Sequence, residues 1–317
     1  MSSNVSVEAA TPATTSSAAR LKPDGLATFA PDLTSRPART PWQIAIVRFR
    51  RSKLALLGLL VIVAMSLIAI FADAVAPYGE NEIDLFNITA KPSTEHWLGT
   101  DELGRDELSR LIFGARVSLL VGVGAALIST AVGIVVGSLA GYYGGWLDSA
   151  LMRFVDVILA FPAIFILLIF FSIQGSSVQS VVLFLGLFSW MWLARVIRGE
   201  FLSLKERDFI EAARAIGVPD GRLMWRHLLP NVGAAIIVST TLTIAYAMLA
   251  EASLSFLGFG VPPGTPTWGN MLNAARPNYI QVPVLAIAPG LTLTIAVLAI
   301  NFVGDGLRDA LDPRGRG

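Results

Sequence analysis

Glu211-Ala-Ala-Arg-Ala-Ile-Gly217 and His227-Leu-Leu-Pro-Asn231 lie in a polar stretch that separates two long apolar segments. The first sequence favours a helix that ends at Gly217, because glycine accepts the left-handed turn that closes many helices. A second helix is expected from about Pro219, since proline suits the first helical turn. Pro230 predicts the end of that helix, because proline removes a backbone hydrogen-bond donor. The pattern predicts a helix–turn–helix loop between two apolar spans.

The two flanking apolar segments and four others are each long enough to cross a bilayer as a helix, which needs about 20 residues. The composition agrees, since 54% of the residues are hydrophobic and only 15% are charged, whereas soluble domains have about 25% charged residues. The expected spans are residues 54–76, 115–141, 152–173, 178–197, 232–257 and 284–304.

Lysine and arginine are concentrated before the first span, between the fourth and fifth spans, and after the sixth. Cytoplasmic loops carry an excess of these residues, and six spans place all three regions on one side of the membrane. The loop 77–114 is acidic and falls on the opposite side. The expected fold class is therefore an all-α membrane protein with six transmembrane helices and both termini in the cytoplasm.

The chain divides into five parts on this basis. Its start is rich in Ser, Thr, Ala and Pro without an apolar run, a composition typical of disorder. The parts are a disordered cytoplasmic tail (1–40), an N-terminal segment with the first transmembrane helix (41–76), an extracytoplasmic loop (77–114), a transmembrane core that includes the cytoplasmic loop 198–231 (115–306), and a cytoplasmic C-terminal tail (307–317).

The second expected span contains Gly133, Gly137 and Gly141 at four-residue spacing. Small residues on one face let membrane helices approach closely. Glycine is also generally common in membrane helices, so two explanations remain. We expect close packing, either within this chain or against another subunit.

Several kinds of chemistry are disfavoured by the residues that are missing. The chain has no cysteine, which excludes disulfides and thiol catalysis. Its two histidines, His96 and His227, are expected on opposite sides of the membrane. The sequence also has no Gly-x-x-x-x-Gly-Lys-Ser/Thr phosphate loop. We therefore expect no catalytic residue, metal site or cofactor in this chain, and any ATP hydrolysis is expected from a separate subunit.

Four carboxylates in the loop 77–114 admit two explanations. Their oxygens suit a hard cation, but nearby arginines and glycine turns favour a structural role, which we expect here. The carboxylates are Asp101, Glu102, Asp106 and Glu107, and the arginines are Arg105 and Arg110.

Glu251 is the carboxylate that lies well inside the fifth expected span. An ionisable group in a membrane span is costly and usually faces a cavity or a partner. Glu251 and nearby Ser253 are thus candidates for the lining of a solute path. A structural role for Glu251, as a cap or a paired group, is the favoured alternative.

The loop 198–231 by itself has two interpretations. Adjacent alanines leave a surface that a partner protein can approach closely, and such a helix could dock in a groove. An ordinary solvated loop with an amphipathic helix on the bilayer surface is the alternative.

The spacing in this loop resembles the EAA loop of ABC importer permeases, which docks onto the ATPase subunit. That family pattern is EAA, three residues, Gly, nine residues, a variable position, one residue and Leu-Pro. This chain matches it throughout, and His227 at the variable position resembles the dipeptide, oligopeptide and nickel branch. The residues that the resemblance assigns to ATPase coupling are Glu211, Ala212, Ala213, Gly217, His227, Leu229 and Pro230.

Other motifs resemble the same branch, in order, over roughly residues 45–313. They look like those of the second, C-type permease of a two-permease importer with a type I importer fold. The motifs are Trp97–Asp106, Gly141–Asp148, Arg198–Glu200, Glu251–Gly260, Trp268–Asn270 and Gly304–Asp309.

This resemblance implies a transmembrane permease subunit of an ATP-driven importer in the inner membrane of a prokaryote. It implies a second homologous permease, two ABC ATPases that bind ATP and Mg, an extracytoplasmic solute-binding protein and membrane lipid as partners, and no nucleic acid. Di- or oligopeptides are the expected cargo, with nickel or a metal chelate as the alternative. Two other classes stay open: a secondary transporter driven by an ion gradient, and a membrane enzyme.

Overall fold

The computed structural model describes residues 41–311, so the expected tail at 1–40 and the last six residues lie outside the described part. Within that part the chain is helical, with one π-helix between α9 and α10. The helices are α1 (Pro41–Arg51), α2 (Lys53–Ile70), α3 (Ala72–Val75), α4 (Glu107–Tyr143), α5 (Gly145–Ala160), α6 (Ala163–Gln174), α7 (Val178–Leu204), α8 (Asp208–Ala215), α9 (Asp220–Arg222), the π-helix (Leu223–Leu228), α10 (Leu229–Phe256), α11 (Trp268–Ala275) and α12 (Val284–Leu311).

Within residues 41–311, five helical segments are long and apolar enough to cross a membrane, or six if one bent pair forms a single span. The five are α2, α4, α7, α12 and the continuous segment Asp220–Phe256. The expected all-α membrane fold is thereby confirmed.

The third expected span, 152–173, is not a straight helix. It divides into α5 and α6, whose axes differ by 89°. The break falls at Phe161 and Pro162, which both have extended backbone, with ψ of 138° and 126°. Proline disfavours helical backbone in the residue before it, so Pro162 explains the end of α5.

Pro230 does not end a helix as the sequence suggested, because the π-helix runs directly into α10. A π-helix bonds each N–H to the carbonyl five residues back, and the Leu229 N–H accordingly donates to the Met224 carbonyl. Pro230 then falls in the first turn of α10, where the lack of an N–H is tolerated. The fifth span thus begins before residue 232.

The glycines of α4 pack against α7, which confirms the expected close approach. A Cβ added at Gly137 would lie 2.6 Å from the carbonyl oxygen of Ala194, and one at Gly141 would lie 2.6 Å from the Cβ of Phe201. A Cβ added at Gly133 would lie 3.0 Å from the Cβ of Leu193. Side chains at these positions would force the two backbones apart, so small residues set the spacing of α4 and α7.

The segment between α3 and α4 is held by buried ionic groups. Asp101 accepts hydrogen bonds of 2.7 Å from both Nε and Nη2 of Arg105, and Arg110 lies 3.6 Å from the same carboxyl oxygen. Asp106 caps the start of α4 through the Ser109 N–H and lies 3.0 Å from His96 Nδ1. These contacts support the structural interpretation of the acidic cluster. In residues 41–311, no group of three or more His, Asp or Glu side chains is placed to hold a metal ion.

Candidate functional site

The turn between α8 and α9 is closed at Gly217, as the sequence predicts. The φ of Gly217 is +81°, in the left-handed region that favours glycine. Its N–H donates to the Arg214 carbonyl at 3.0 Å, and the Val218 N–H donates to the Ala213 carbonyl at 3.1 Å. This pair of bonds is the Schellman motif, which satisfies the last carbonyls of a helix. The turn therefore has a defined geometry.

One face of the loop 198–231 is buried against the rest of the chain. Ile210 and Ala213 of α8 belong to one apolar cluster with Leu223 and Met224 of the π-helix. The same cluster includes Phe201 of α7. Burial of these side chains removes apolar surface from water, which anchors the loop to α7. The loop is thus a folded part of the protein, with a fixed orientation relative to α7.

The other face of α8 is exposed. Phe209 and Ala212 of α8 and Ile216, which directly follows α8, are spaced three and four residues apart, which places them on one side of the helix. Ile216 is 81% exposed and Phe209 is 44% exposed, and Glu211 is exposed beside them. We call Phe209, Ala212 and Ile216 the α8 exposed face. The two adjacent alanines therefore differ, since Ala212 is on this face and Ala213 is buried.

Three further contacts fix the loop to neighbouring helices. The Tyr142 hydroxyl of α4 donates a 2.5 Å hydrogen bond to Asp220 Oδ1, and the Arg214 guanidinium lies 5.9 Å from the centre of the Tyr142 ring. Arg198 binds Asp148 through two hydrogen bonds of 2.5 and 2.6 Å. Sequence reasoning singled out the Gly141–Asp148 motif but missed these pairings, because the partners are distant in sequence.

The remaining residues assigned to coupling lie at the end of the π-helix and the start of α10. His227 and Leu229 are half-buried, and Pro230 is exposed. The Asn231 side-chain amide donates to the His227 carbonyl at 2.6 Å. The structure places these side chains at the junction between the π-helix and α10, apart from the α8 exposed face.

Glu251 and Ser253 lie in different surroundings. Glu251 is fully buried, and Ser255 donates a 2.7 Å hydrogen bond to its Oε1. Thr267 approaches the same carboxyl group. Ser253 is exposed, but its hydroxyl donates to the Leu249 carbonyl at 2.8 Å. Glu251 thus joins the end of α10 to the segment before α11, whereas Ser253 faces outward.

Two family models match this chain. The model described as "Binding-protein-dependent transport system inner membrane component" matches residues 133–317, and the model of the "N-terminal TM domain of oligopeptide transport permease C" matches residues 40–92. The first match contains the whole loop 198–231, and the second contains α1 and α2.

Curated relatives match most of the chain. The glutathione transport system permease protein GsiD of Escherichia coli O6:K15:H31 is 45% identical over 280 residues, which cover 88% of this chain and 92% of the relative. A putative peptide permease protein of Brucella suis biovar 1 is 44% identical over 283 residues, which cover 88% and 94%. Both similarities extend over nearly the full length of the relatives.

One solved structure shares the fold. A chain of the MetNI methionine ABC transporter, in inward-facing conformations, superposes with a TM-score of 0.54 at 20% identity. The match covers 64% of this chain and 96% of that chain. At this identity the likeness supports the architecture of the helices alone.

Proposed function

Because this chain belongs to the family of binding-protein-dependent transport system inner membrane components, within the peptide and oligopeptide permeases of ABC importers, we propose that it forms one half of a solute path driven by partner ATPases. It is a multi-pass protein of the inner membrane. Its coupling to ATP hydrolysis runs through the loop 198–231. The observation that carries this proposal is the division of α8 into a buried face and an exposed apolar face.

The division of α8 supports coupling because a docking element must satisfy two conditions. It must present surface to a partner, and it must be attached firmly to the helices that move. The α8 exposed face meets the first condition, and the apolar cluster around Ile210 and Phe201 meets the second. A partner that holds this face differently in two nucleotide states can shift the permease between conformations, because differential affinity is what shifts an equilibrium.

The assembly that we propose has five kinds of component. A second homologous permease completes the path, and two ABC ATPases bind ATP and Mg and contact the loop 198–231. An extracytoplasmic solute-binding protein delivers cargo at the 77–114 side, and lipid surrounds the spans. This arrangement places both termini in the cytoplasm of a prokaryote. The chain itself acts as a transport subunit rather than an enzyme.

Short peptides are the cargo class that we propose. The names of two relatives refer to glutathione and to peptides, and these relatives match the chain over 88% of its length. Nickel or a metal chelate is the alternative cargo. A secondary transporter is the alternative of another class, and it is disfavoured by the match to the importer family.

The test is purification of the chain from its native membrane in mild detergent, with mass spectrometry of the proteins that accompany it. The expected result is recovery of a second permease, ABC ATPases and a solute-binding protein, followed by ATP-dependent peptide uptake after reconstitution. Isolation of the chain alone, with uptake that collapses when the proton gradient is removed while ATP remains, would contradict the proposal. Uptake of nickel chelates but not of peptides would support the alternative cargo.

A further inference from the structure

An open cavity of about 440 Å³ lies between α5, α7 and α10. Its lining is uncharged, and the residues that matter here come from the middle of α7 and α10 and from the end of α5. Those residues are Leu159, Ser189, Trp192, Ser239, Thr243 and Tyr246. The cavity is separate from the loop 198–231 and from the buried Glu251.

Three hydroxyl groups in this cavity have no partner among the described residues. The side-chain hydroxyls of Ser189, Ser239 and Tyr246 make no hydrogen bond within residues 41–311, whereas the Thr243 hydroxyl donates to the Ser239 backbone carbonyl at 2.8 Å. A polar group that faces hydrocarbon without a hydrogen bond is costly. These hydroxyls are therefore available to water, solute or another protein beside them.

Neighbouring hydroxyls on α10 show the contrast. Thr240 donates to the Ile236 carbonyl and lies 2.8 Å from the Thr130 hydroxyl of α4. Thr241 donates to the Ile237 carbonyl at 2.9 Å. Thus the hydroxyls of Thr240, Thr241 and the cavity-lining Thr243 have partners within the described residues, and the hydroxyls of Ser239 and Tyr246 do not.

The shape of the cavity disfavours simple helix packing as the explanation. Membrane helices that pack closely use small residues at the contact, as Gly137 does between α4 and α7. Here Trp192 is 72% exposed and Tyr246 is 60% exposed, and both border a concave space. Ligand sites are typically concave and mostly apolar, with a few polar groups that fix orientation.

We propose that this cavity is a solute-contact site on the translocation path, which takes an uncharged, hydrogen-bonding part of the cargo such as a peptide amide. The inference rests on the proposed importer function and deepens it. Ser189, Ser239 and Tyr246 offer hydroxyls to the amide, and Trp192 and Tyr246 offer aromatic surface. Because the lining is uncharged, the site discriminates little by the net charge of the peptide.

Cysteine accessibility tests the site directly, since the chain has no cysteine of its own. Ser189→Cys and Ser239→Cys are made in the reconstituted importer and treated with a membrane-impermeant methanethiosulfonate in each nucleotide state. Mass spectrometry of this chain reports its labelling. Leu60→Cys on α2 is the matched control, because Leu60 is 66% exposed on an apolar helix surface. Peptide uptake by the unmodified importer is measured in the same preparation.

The expected result is faster labelling at residues 189 and 239 than at residue 60 in at least one nucleotide state, with slower labelling when peptide-loaded binding protein is added. Labelling no faster than that of Leu60→Cys in every state, while uptake remains normal, would overturn the site and leave the importer function intact. Absence of uptake in the unmodified importer would instead count against the function itself.

A second variant tests recognition. Tyr246→Phe keeps the ring and removes the hydroxyl, so kcat/KM for peptide uptake is expected to fall about fivefold, the effect of one lost hydrogen bond. Peptides of different net charge are expected to be affected alike. Tyr279→Phe, at an exposed tyrosine outside the cavity, serves as the control. Equal uptake by the Tyr246 variant and the unmodified importer would overturn the proposed contact.

Discussion

The hydroxyl of Tyr142, in the last turn of α4, donates a 2.5 Å hydrogen bond to Asp220 at the start of α9. The two residues are 78 positions apart in sequence. Their contact joins a membrane-spanning helix to the loop that we propose as the ATPase-docking element. Motion of that loop therefore reaches α4 through a polar contact as well as through the apolar cluster.

Tyr142→Phe is expected to weaken this connection without removing the ring from the apolar cluster. Because Asp220 is exposed, the loss is expected to be that of an ordinary hydrogen bond, about 1 kcal/mol, and not the larger loss of a buried bond to a charged group. The predicted result is less peptide taken up per ATP hydrolysed in the reconstituted importer. Tyr143→Phe is the control, since the Tyr143 hydroxyl makes no hydrogen bond to a described residue. An unchanged transport ratio in the Tyr142 variant would show that the bond is dispensable.

Gly217→Ala is expected to destabilise the loop by about 1–2 kcal/mol, because the left-handed conformation is strained for a residue with a Cβ. Apart from the adjoining residues, no atom of residues 41–311 lies within 4 Å of the Cβ position, so the cost is confined to the backbone. Gly221→Ala is the matched control, with open space and no positive φ. The measurements are the amount of peptide taken up per ATP hydrolysed in the reconstituted importer and the thermal unfolding of the purified protein.

Gly217→Pro is predicted to be more severe than Gly217→Ala. The proline ring fixes φ near −65°, which is incompatible with the observed +81°. It also removes the N–H that donates to the Arg214 carbonyl. The expected outcome is ATP hydrolysis without uptake in an importer whose membrane spans remain inserted. Normal uptake by an assembled Gly217→Pro variant would refute the proposed role of this turn.

A glutamate is expected to have different effects at Ala212 and at Ala213, the two adjacent alanines of α8. Ala212→Glu places the charge on the α8 exposed face and is predicted to reduce ATPase co-purification while the permease stays folded. Ala213→Glu places it in the apolar cluster, where Ala213 is 8% exposed, and burial of an unpaired charge is very costly. That variant is predicted to lower expression. Equal ATPase recovery with Ala212→Glu and the unmodified chain would exclude this face from docking.

Gly137→Ala is predicted to destabilise the α4–α7 pair by about 1–3 kcal/mol, the usual cost of overpacking. The added methyl group would meet the Ala194 carbonyl oxygen at 2.6 Å. Gly199→Ala on α7 has open space around it and is expected to be neutral or slightly stabilising, because alanine favours helix. Thermal unfolding in detergent distinguishes the two. Equal melting temperatures would mean that the helices relax apart without cost.

Local sequence patterns predicted many features of this fold, because those features depend on residues close in sequence and on contact with lipid. The number of apolar segments, the turn at Gly217 and the glycine face of α4 each depend on properties of a single helix or turn. Pro230 was misinterpreted because the general rule ends a helix at proline. The sequence carries no local sign that a π-helix before it would place Pro230 in a new first turn.

Contacts between distant residues lay beyond what the sequence could predict. The Tyr142–Asp220 and Arg198–Asp148 pairs depend on how α4, α5 and α7 pack, which is a property of the whole fold. The same holds for burial. Ala212 and Ala213 are alike in sequence, yet only Ala213 is buried, and Glu251 is enclosed while Ser253 is exposed.

The length of α4 has a mechanical consequence. This helix has 37 residues without a break, which corresponds to about 55 Å at the usual rise per residue. At one end Asp106 and Arg110 join it to the folded segment before it, and at the other Tyr142 contacts the loop 198–231. Because these contacts lie at the two ends of one continuous helix, we expect a tilt imposed near Tyr142 to displace the segment joined to Asp106 as well.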